Sequence, residues 1–219
     1  KQQKHRKVRA KKAGLSPGTL VYAGPKTNVT VEPVKITVFD YTTDKLNEKE
    51  IKNFEDCADF KQSGSVTWIN LDGVHDISQI QKIGTIFNIH PLVLEDILHT
   101  AQRPKTDEHD EYIFIVLKML EYNQISESVS SEQVSFVLTK DCVISFQENP
   151  GDVFDPVRER IRNSKGRIRK AGADYLAYAL IDAIVDHYFV VLEQIGEKIQ
   201  LLEDEIIEEP GQDIAHSVP

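Results

Sequence analysis

The sequence predicts an α/β (α+β) fold: an α/β/α sandwich around a mixed β-sheet, followed by a long acidic helix. Three observations point there. Short β-branched and aromatic runs at 36–41, 66–71, 112–119, 133–138 and 142–147 interleave with stretches of helical periodicity. The 219 residues are 40% hydrophobic, enough for an ordinary buried core. Residues 174–208 contain no proline and one glycine, Gly196, so they can run as a single helix of about 50 Å at 1.5 Å per residue.

The elements follow in order. Residues 1–12 carry seven Lys/Arg and no acid, and 1–17 is read as a disordered basic arm. The next stretch, 14–33, is rich in Gly, Pro and Thr, with one short strand candidate at 19–23. After the strand at 36–41, residues 45–60 are charged and helical in pattern. The strand at 66–71 holds the only tryptophan, Trp68, and Asp72-Gly73 closes it with a turn. Asp76 can cap a helix whose Ile77, Ile80, Ile83, Ile86 and Phe87 recur every three to four residues. His90-Pro91 starts another at once, because proline suits the first helical position and pushes its predecessor out of the helix. That helix covers 91–98, and Pro104 stops it. Thr139-Lys140-Asp141 joins two strands as a hairpin. A basic helix is expected over 152–170, with Arg158, Arg160, Arg162, Lys165, Arg167, Arg169 and Lys170. The expected division is arm 1–17, sandwich 18–172 and the start of a helical segment, 173–219.

Composition excludes several functions. The net charge of −9 conceals an acidic body, since without the arm 19 basic residues face 35 acidic ones. Such a surface repels nucleic acid and attracts cations. The longest apolar run is seven residues, 175–181, whereas a membrane crossing needs about 20, so no span and no secretory signal are expected. Cys57 and Cys142 have no metal-ligand or redox spacing around them and read as reduced core thiols. There is no G-x-S-x-G, HExxH, P-loop or post-strand G-x-G-x-x-G, so an enzyme is not expected.

Two stripes run along the long helix. Ile181, Val185, Tyr188, Leu192, Ile195, Ile199, Leu202 and Ile206 alternate in steps of four and three, a 3.5-residue repeat that calls for a partner helix, either downstream sequence or a second copy. Asp182, Asp186, Glu193, Glu197, Asp204 and Glu208 share another face; ten acids and one Lys lie between 174 and 209. Like charges so placed repel by a few tenths of a kcal/mol per pair. Salt, nearby arginines or bound divalent cations would each relieve that. Mg2+ suits such a face because it takes hard oxygen ligands and keeps most of its waters.

Particular strings carry a resemblance. They are Trp68-Ile69-Asn70, the run from Ile89-His90-Pro91 through Glu95-Asp96-Ile97-Leu98, Gln102-Arg103-Pro104-Lys105, Phe146-Gln147-Glu148, Gly151-Asp152-Val153-Phe154-Asp155-Pro156, and Ala173-Asp174-Tyr175-Leu176 through Ile181-Asp182-Ala183. In this order, over roughly 18–210, they resemble the cytoplasmic domain of the CorA family of magnesium transporters. The resemblance implies an α/β/α sandwich feeding a stalk-type helix, with the chain stopping before the transmembrane helices and their Gly-Met-Asn signature. It implies a regulatory domain that senses intracellular Mg2+, with Co2+ or other divalent ions as alternatives, in a homo-oligomer that is a pentamer at full length. Without the rest of the stalk, the fragment is compatible with a monomer. The full protein would sit in the cell membrane with this part facing the cytoplasm.

The family's motif carboxylates map onto Glu95, Asp96 and Asp182, with one further ligand beyond Pro219; Asp186, Glu193, Glu197 and Asp204 form a secondary acidic face. On residues alone, Glu95 and Asp96 also read as surface acids, and Asp182 as a partner for Arg158 or Arg162. His99, four residues after Glu95, suits a softer metal or a plain polar role, and His90 reads as structural. Competing functions are a related Zn2+/Co2+ transporter's cytoplasmic domain and a soluble helical oligomerisation or adaptor module.

Overall fold

The computed structural model describes residues 19–22, 33–61 and 64–208. Its centre is a seven-stranded sheet in the order β2-β1-β3-β7-β6-β5-β4. The strands are β1 Lys35–Tyr41, β2 Leu46–Ile51, β3 Val66–Asp72, β4 Lys105–Glu108, β5 Ile113–Asn123, β6 Ser128–Leu138 and β7 Cys142–Gln147. Only the central β3–β7 pair is parallel; the other neighbours are antiparallel. The sheet is therefore mixed. A 3-10 helix, Phe54–Phe60, with α1 Ile77–Phe87 and α2 Pro91–Leu98 covers one face, and α3 Asp155–Arg162 with α4 Ala173–Glu208 covers the other. Cys57 and Cys142 are free thiols buried in the first of these two cores.

Local chemistry sets up the helix that matters most below. Asp76 Oδ1 accepts the N–H groups of Ser78 and Gln79 at 3.0 and 3.3 Å and so caps α1. Ile80, Ile83, Gly84 and Phe87 are its buried face. Gly84 leaves room for α2, since a Cβ there would clash with the Leu94 side chain. Asn88, at φ 54°, ends α1 in the left-handed region. His90 Nδ1 accepts Leu92 N–H at 3.2 Å and Pro91 takes the first turn, so α2 begins where His90-Pro91 predicts.

Three expectations fail, and a fourth falls short. Residues 45–60 are not one helix: β2 turns back on β1 through Thr42 N–H to Lys45 O at 2.9 Å, and Asn47 to Glu50 are exposed on the sheet's edge. An edge strand with little to bury carries no apolar alternation. The remainder forms the 3-10 helix, whose buried Phe54, Cys57 and Phe60 recur every three residues, the period of that helix. The basic helix over 152–170 is also broken. α3 stops at Arg162, and Ser164 and Gly166 take φ 50° and 69°, before a 3-10 turn at Ile168–Lys170. In the candidate strand 19–23, Thr19 to Tyr22 have no regular structure, though Leu20 and Tyr22 pack on the first core; Ala23 and the basic arm lie outside the described residues. Finally, β4 was not anticipated, and β5 and β6 pair over eleven positions, well past the predicted ends.

That long hairpin revises the reading of the 3.5-residue seam. α4 is one helix of 36 residues packed by Leu176, Leu180 and Ile184 in the second core, with Val191 also buried. Along it Ile181, Tyr188, Ile195 and Leu202 are half-buried, while Val185, Leu192, Ile199 and Ile206 are exposed. Tyr188 donates its hydroxyl to the Lys118 carbonyl on β5, and Lys198 Nζ lies 2.8 Å from Glu127 Oε1 at the hairpin tip. Of the half-buried row, Ile181 and Tyr188 thus have partners within the chain. By length and composition alone Ala173–Ile207 could also cross a membrane, a property the seven-residue run count does not detect; in this fold part of its apolar surface closes the second core.

Candidate functional site

The predicted ligands fall into two groups on opposite faces of the sheet. Glu95 and Asp96 are neighbours on α2, both half-buried. Asp96 Oδ2 is 2.7 Å from Lys105 Nζ, Asp96 Oδ1 accepts from the Gln102 side-chain amide, and its backbone carbonyl accepts Gln133 Nε2 at 3.0 Å. The same Lys105 ammonium is 2.6 Å from Asp107 Oδ2. The Gln102-Arg103-Pro104-Lys105 string therefore wraps the end of α2 and presents an amide and an ammonium to one carboxylate. Lys118 Nζ, donating to the Thr100 carbonyl at 2.7 Å, ties the following turn to β5. Burial holds the Lys118 ammonium below the usual lysine range.

Asp182 is half-buried on α4 and lines a cleft of about 410 Å³ together with Asp152, Asp155, Asp186 and His187. It does not pair with Arg158 or Arg162. Arg158 is held by Asp152 at 2.5 Å and Asp155 at 2.9 Å, and Arg162 by Glu48 at 2.6 Å and Glu159 at 2.9 Å. Among the described residues, Asp182, Asp186, Glu193, Glu197 and Asp204 make no ion pair, and all but Asp182 are exposed.

Between the helices runs a buried polar chain that sequence reasoning missed. Trp68 Nε1 donates to Ser145 Oγ at 2.9 Å, and Ser145 Oγ donates to Asn70 Oδ1 at 2.5 Å. Gln147 Nε2 reaches Asn70 Oδ1, Asp72 Oδ1 and Asp152 Oδ2 at 2.9, 3.1 and 3.0 Å. The chain ends on the Asp152–Arg158 pair, whose guanidinium stacks 5.2 Å from the Trp68 ring centre. Burial pushes the Asp152 carboxyl up, but Arg158 and the Gln147 amide outweigh it and hold the group below its ordinary range. Asp72, half-buried and beside Asp152, is raised by that burial and by the Asp152 charge. The detectable signal was a polar residue at alternate positions, Ser145 and Gln147, inside an otherwise apolar strand.

The sheet lies between α2 and α4, so one copy of the chain does not unite Asp96 with Asp182. Among the described residues no three His, Cys, Asp or Glu side chains converge as a metal-holding group. What the donor set offers is hard carboxylate oxygen, partly exposed, which fits a hydrated Mg2+ that uses one or two protein ligands.

Comparison with known proteins gives a consistent picture. The profile of the family described as CorA-like Mg2+ transporter protein matches residues 63–218. The cobalt/magnesium transport protein CorA of Thermotoga maritima is 50% identical over 202 residues, which are 92% of this chain and 56% of that protein. The chain thus spans about half the length of that relative. The soluble domain of CorA from Methanocaldococcus jannaschii superposes with a TM-score of 0.62 at 13% identity, over 83% of this chain and 68% of that one. The ZntB cytoplasmic domain from Vibrio parahaemolyticus gives 0.58 at 14% identity, over 78% and 66%. The two structures bear on the fold alone.

Proposed function

Because the chain belongs to the CorA-like Mg2+ transporter family, a family of transporters rather than enzymes, we propose that it is the cytoplasmic regulatory domain of a membrane divalent-cation channel, sensing intracellular Mg2+ and gating the pore. The observation that carries this is the placement of Asp96 and Asp182 on opposite faces of one sheet, each partly exposed. Two such faces meet only when copies of the domain pack side by side. Carboxylates brought within about 4 Å across that boundary repel by a few kcal/mol per pair at an effective dielectric near 20. A divalent ion reverses the sign. Metal binding therefore favours the packed, closed assembly, and loss of metal lets the copies separate, which is linkage between ligand and conformation.

Glu95, Asp96 and Asp182 are the ligands in this scheme, with Asp186, Glu193, Glu197 and Asp204 gathering hydrated cations along the helix. Mg2+ is the natural ion and Co2+ an alternative, and a homo-pentamer in the cell membrane is the assembly. Millimolar Mg2+ is expected to slow proteolysis of the 219-residue chain or of its assembly, and EDTA to remove that protection. Identical digestion rates with Mg2+, Co2+ and EDTA would refute a sensing role.

A further inference from the structure

The Asp96 cluster contains a positive charge that a metal ligand set does not need. Lys105 Nζ sits between two carboxylates, 2.7 Å from Asp96 Oδ2 and 2.6 Å from Asp107 Oδ2, and 5.6 Å from the Phe114 ring centre. Its side chain is 32% exposed and that of Asp96 25%, so the pair is partly withdrawn from water. β4 fixes the lysine's position, because Lys105 pairs with Val116 of β5. We propose that Lys105 is a tethered competitor for the cation at Asp96: the ammonium holds Asp96 Oδ2 when no divalent ion is there and is retained by Asp107 when one binds. This rests on the reading of Asp96 as a metal ligand.

Two physical consequences follow. The Gln102 amide on Oδ1 is neutral and leaves that oxygen a second lone pair, so it is compatible with a metal, whereas an ammonium on Oδ2 is not. Since Asp107 is already in contact, displacement never leaves the ammonium unpaired, and the exchange costs about what a partly exposed ion pair is worth. Valence is then discriminated. A monovalent ion replaces one positive charge with another and gains little, while a divalent ion gains a second charge against Asp96 and whatever carboxylate faces it.

The test is calorimetric titration of the assembled, membrane-spanning protein that carries this domain with Mg2+, Co2+ and K+, in wild type and in Lys105→Met, Lys105→Gln, Arg103→Met, Asp107→Asn and Asp96→Asn. Either Lys105 substitution is expected to tighten Mg2+ by about three- to fivefold and to reduce discrimination against K+. Arg103→Met, the same charge change on an exposed neighbour, should stay within about twofold, and Asp107→Asn should weaken binding because Lys105 then stays on Asp96. Unchanged or weaker Mg2+ binding in both Lys105 variants, with Asp96→Asn still abolishing it, would overturn the competitor role and leave the sensing role intact. Equal tightening by Arg103→Met would overturn it as a mere charge effect. Binding that survives Asp96→Asn, or no heat in any variant, would remove Asp96 as a ligand and the competitor with it.

Discussion

Asp152→Ala is expected to lower the stability of the domain by about 3 kcal/mol at neutral pH, because it removes the buried partner of the Arg158 guanidinium and leaves it only the exposed Asp155. The Asp152 side chain is 4% exposed and that of Arg158 14%, and the same carboxylate also accepts the Gln147 amide and the Phe154 N–H. At the size of this chain the loss corresponds to a fall in melting temperature of roughly 10 °C. The pH dependence has a definite sign. Asp152 is depressed in the folded state, mainly by Arg158 working against burial, so its contribution is present above the unfolded carboxylate value of about 3.9 and is lost as pH falls through the lower folded value. Asp72, raised by burial and by Asp152, works the other way: its charged form costs stability as pH rises through its folded value. Thermal melts of wild type and variant should therefore differ most at neutral pH and converge only below about pH 4. Equal melting temperatures at neutral pH would mean that the polar chain under Trp68 does not hold α3 to the sheet.

In a membrane-spanning protein that carries this domain, Asp96→Asn or Asp182→Asn should raise the internal Mg2+ needed to close the pore by about tenfold or more, since in the proposed site each removes one of few charged oxygen ligands. The two changes lie on opposite faces of the sheet. If both act at boundaries between copies, each should weaken closure while lowering the stability of the isolated domain by no more than a partly exposed ion pair is worth, about 1 kcal/mol or less. Current recordings with graded internal Mg2+ decide this. Unaltered inhibition in both variants would place the sensing site elsewhere.

How much of this was legible in the residues depended on what each residue had to bury. α1, α2 and the central strands announced themselves through apolar periodicity and through Asp76 and His90-Pro91, which cap their helices as expected. β2 and β4 did not, because edge strands of Lys, Glu, Asp and Thr bury little and leave no period. The far half of the β5–β6 hairpin was hidden for the same reason, and with it the intrachain partner for Tyr188 and Lys198. At the site, Glu95, Asp96 and Asp182 came from motif resemblance, and the structure adds what spacing along the chain does not encode. Lys105 and Gln102 close on Asp96 only because the chain turns back after α2. Asp152 and His187 join the Asp182 cleft only because α3 and α4 pack on the same face.

Anomalous diffraction from crystals of the assembled, membrane-spanning protein grown with Co2+ tests the sensing role most directly. Peaks within about 2.1 Å of the Asp96 or Asp182 carboxylate oxygens, at a boundary between copies and lost when the metal is chelated, are the expected result. Well-phased maps with Co2+ bound elsewhere, and both carboxylates bare at every boundary, would contradict it.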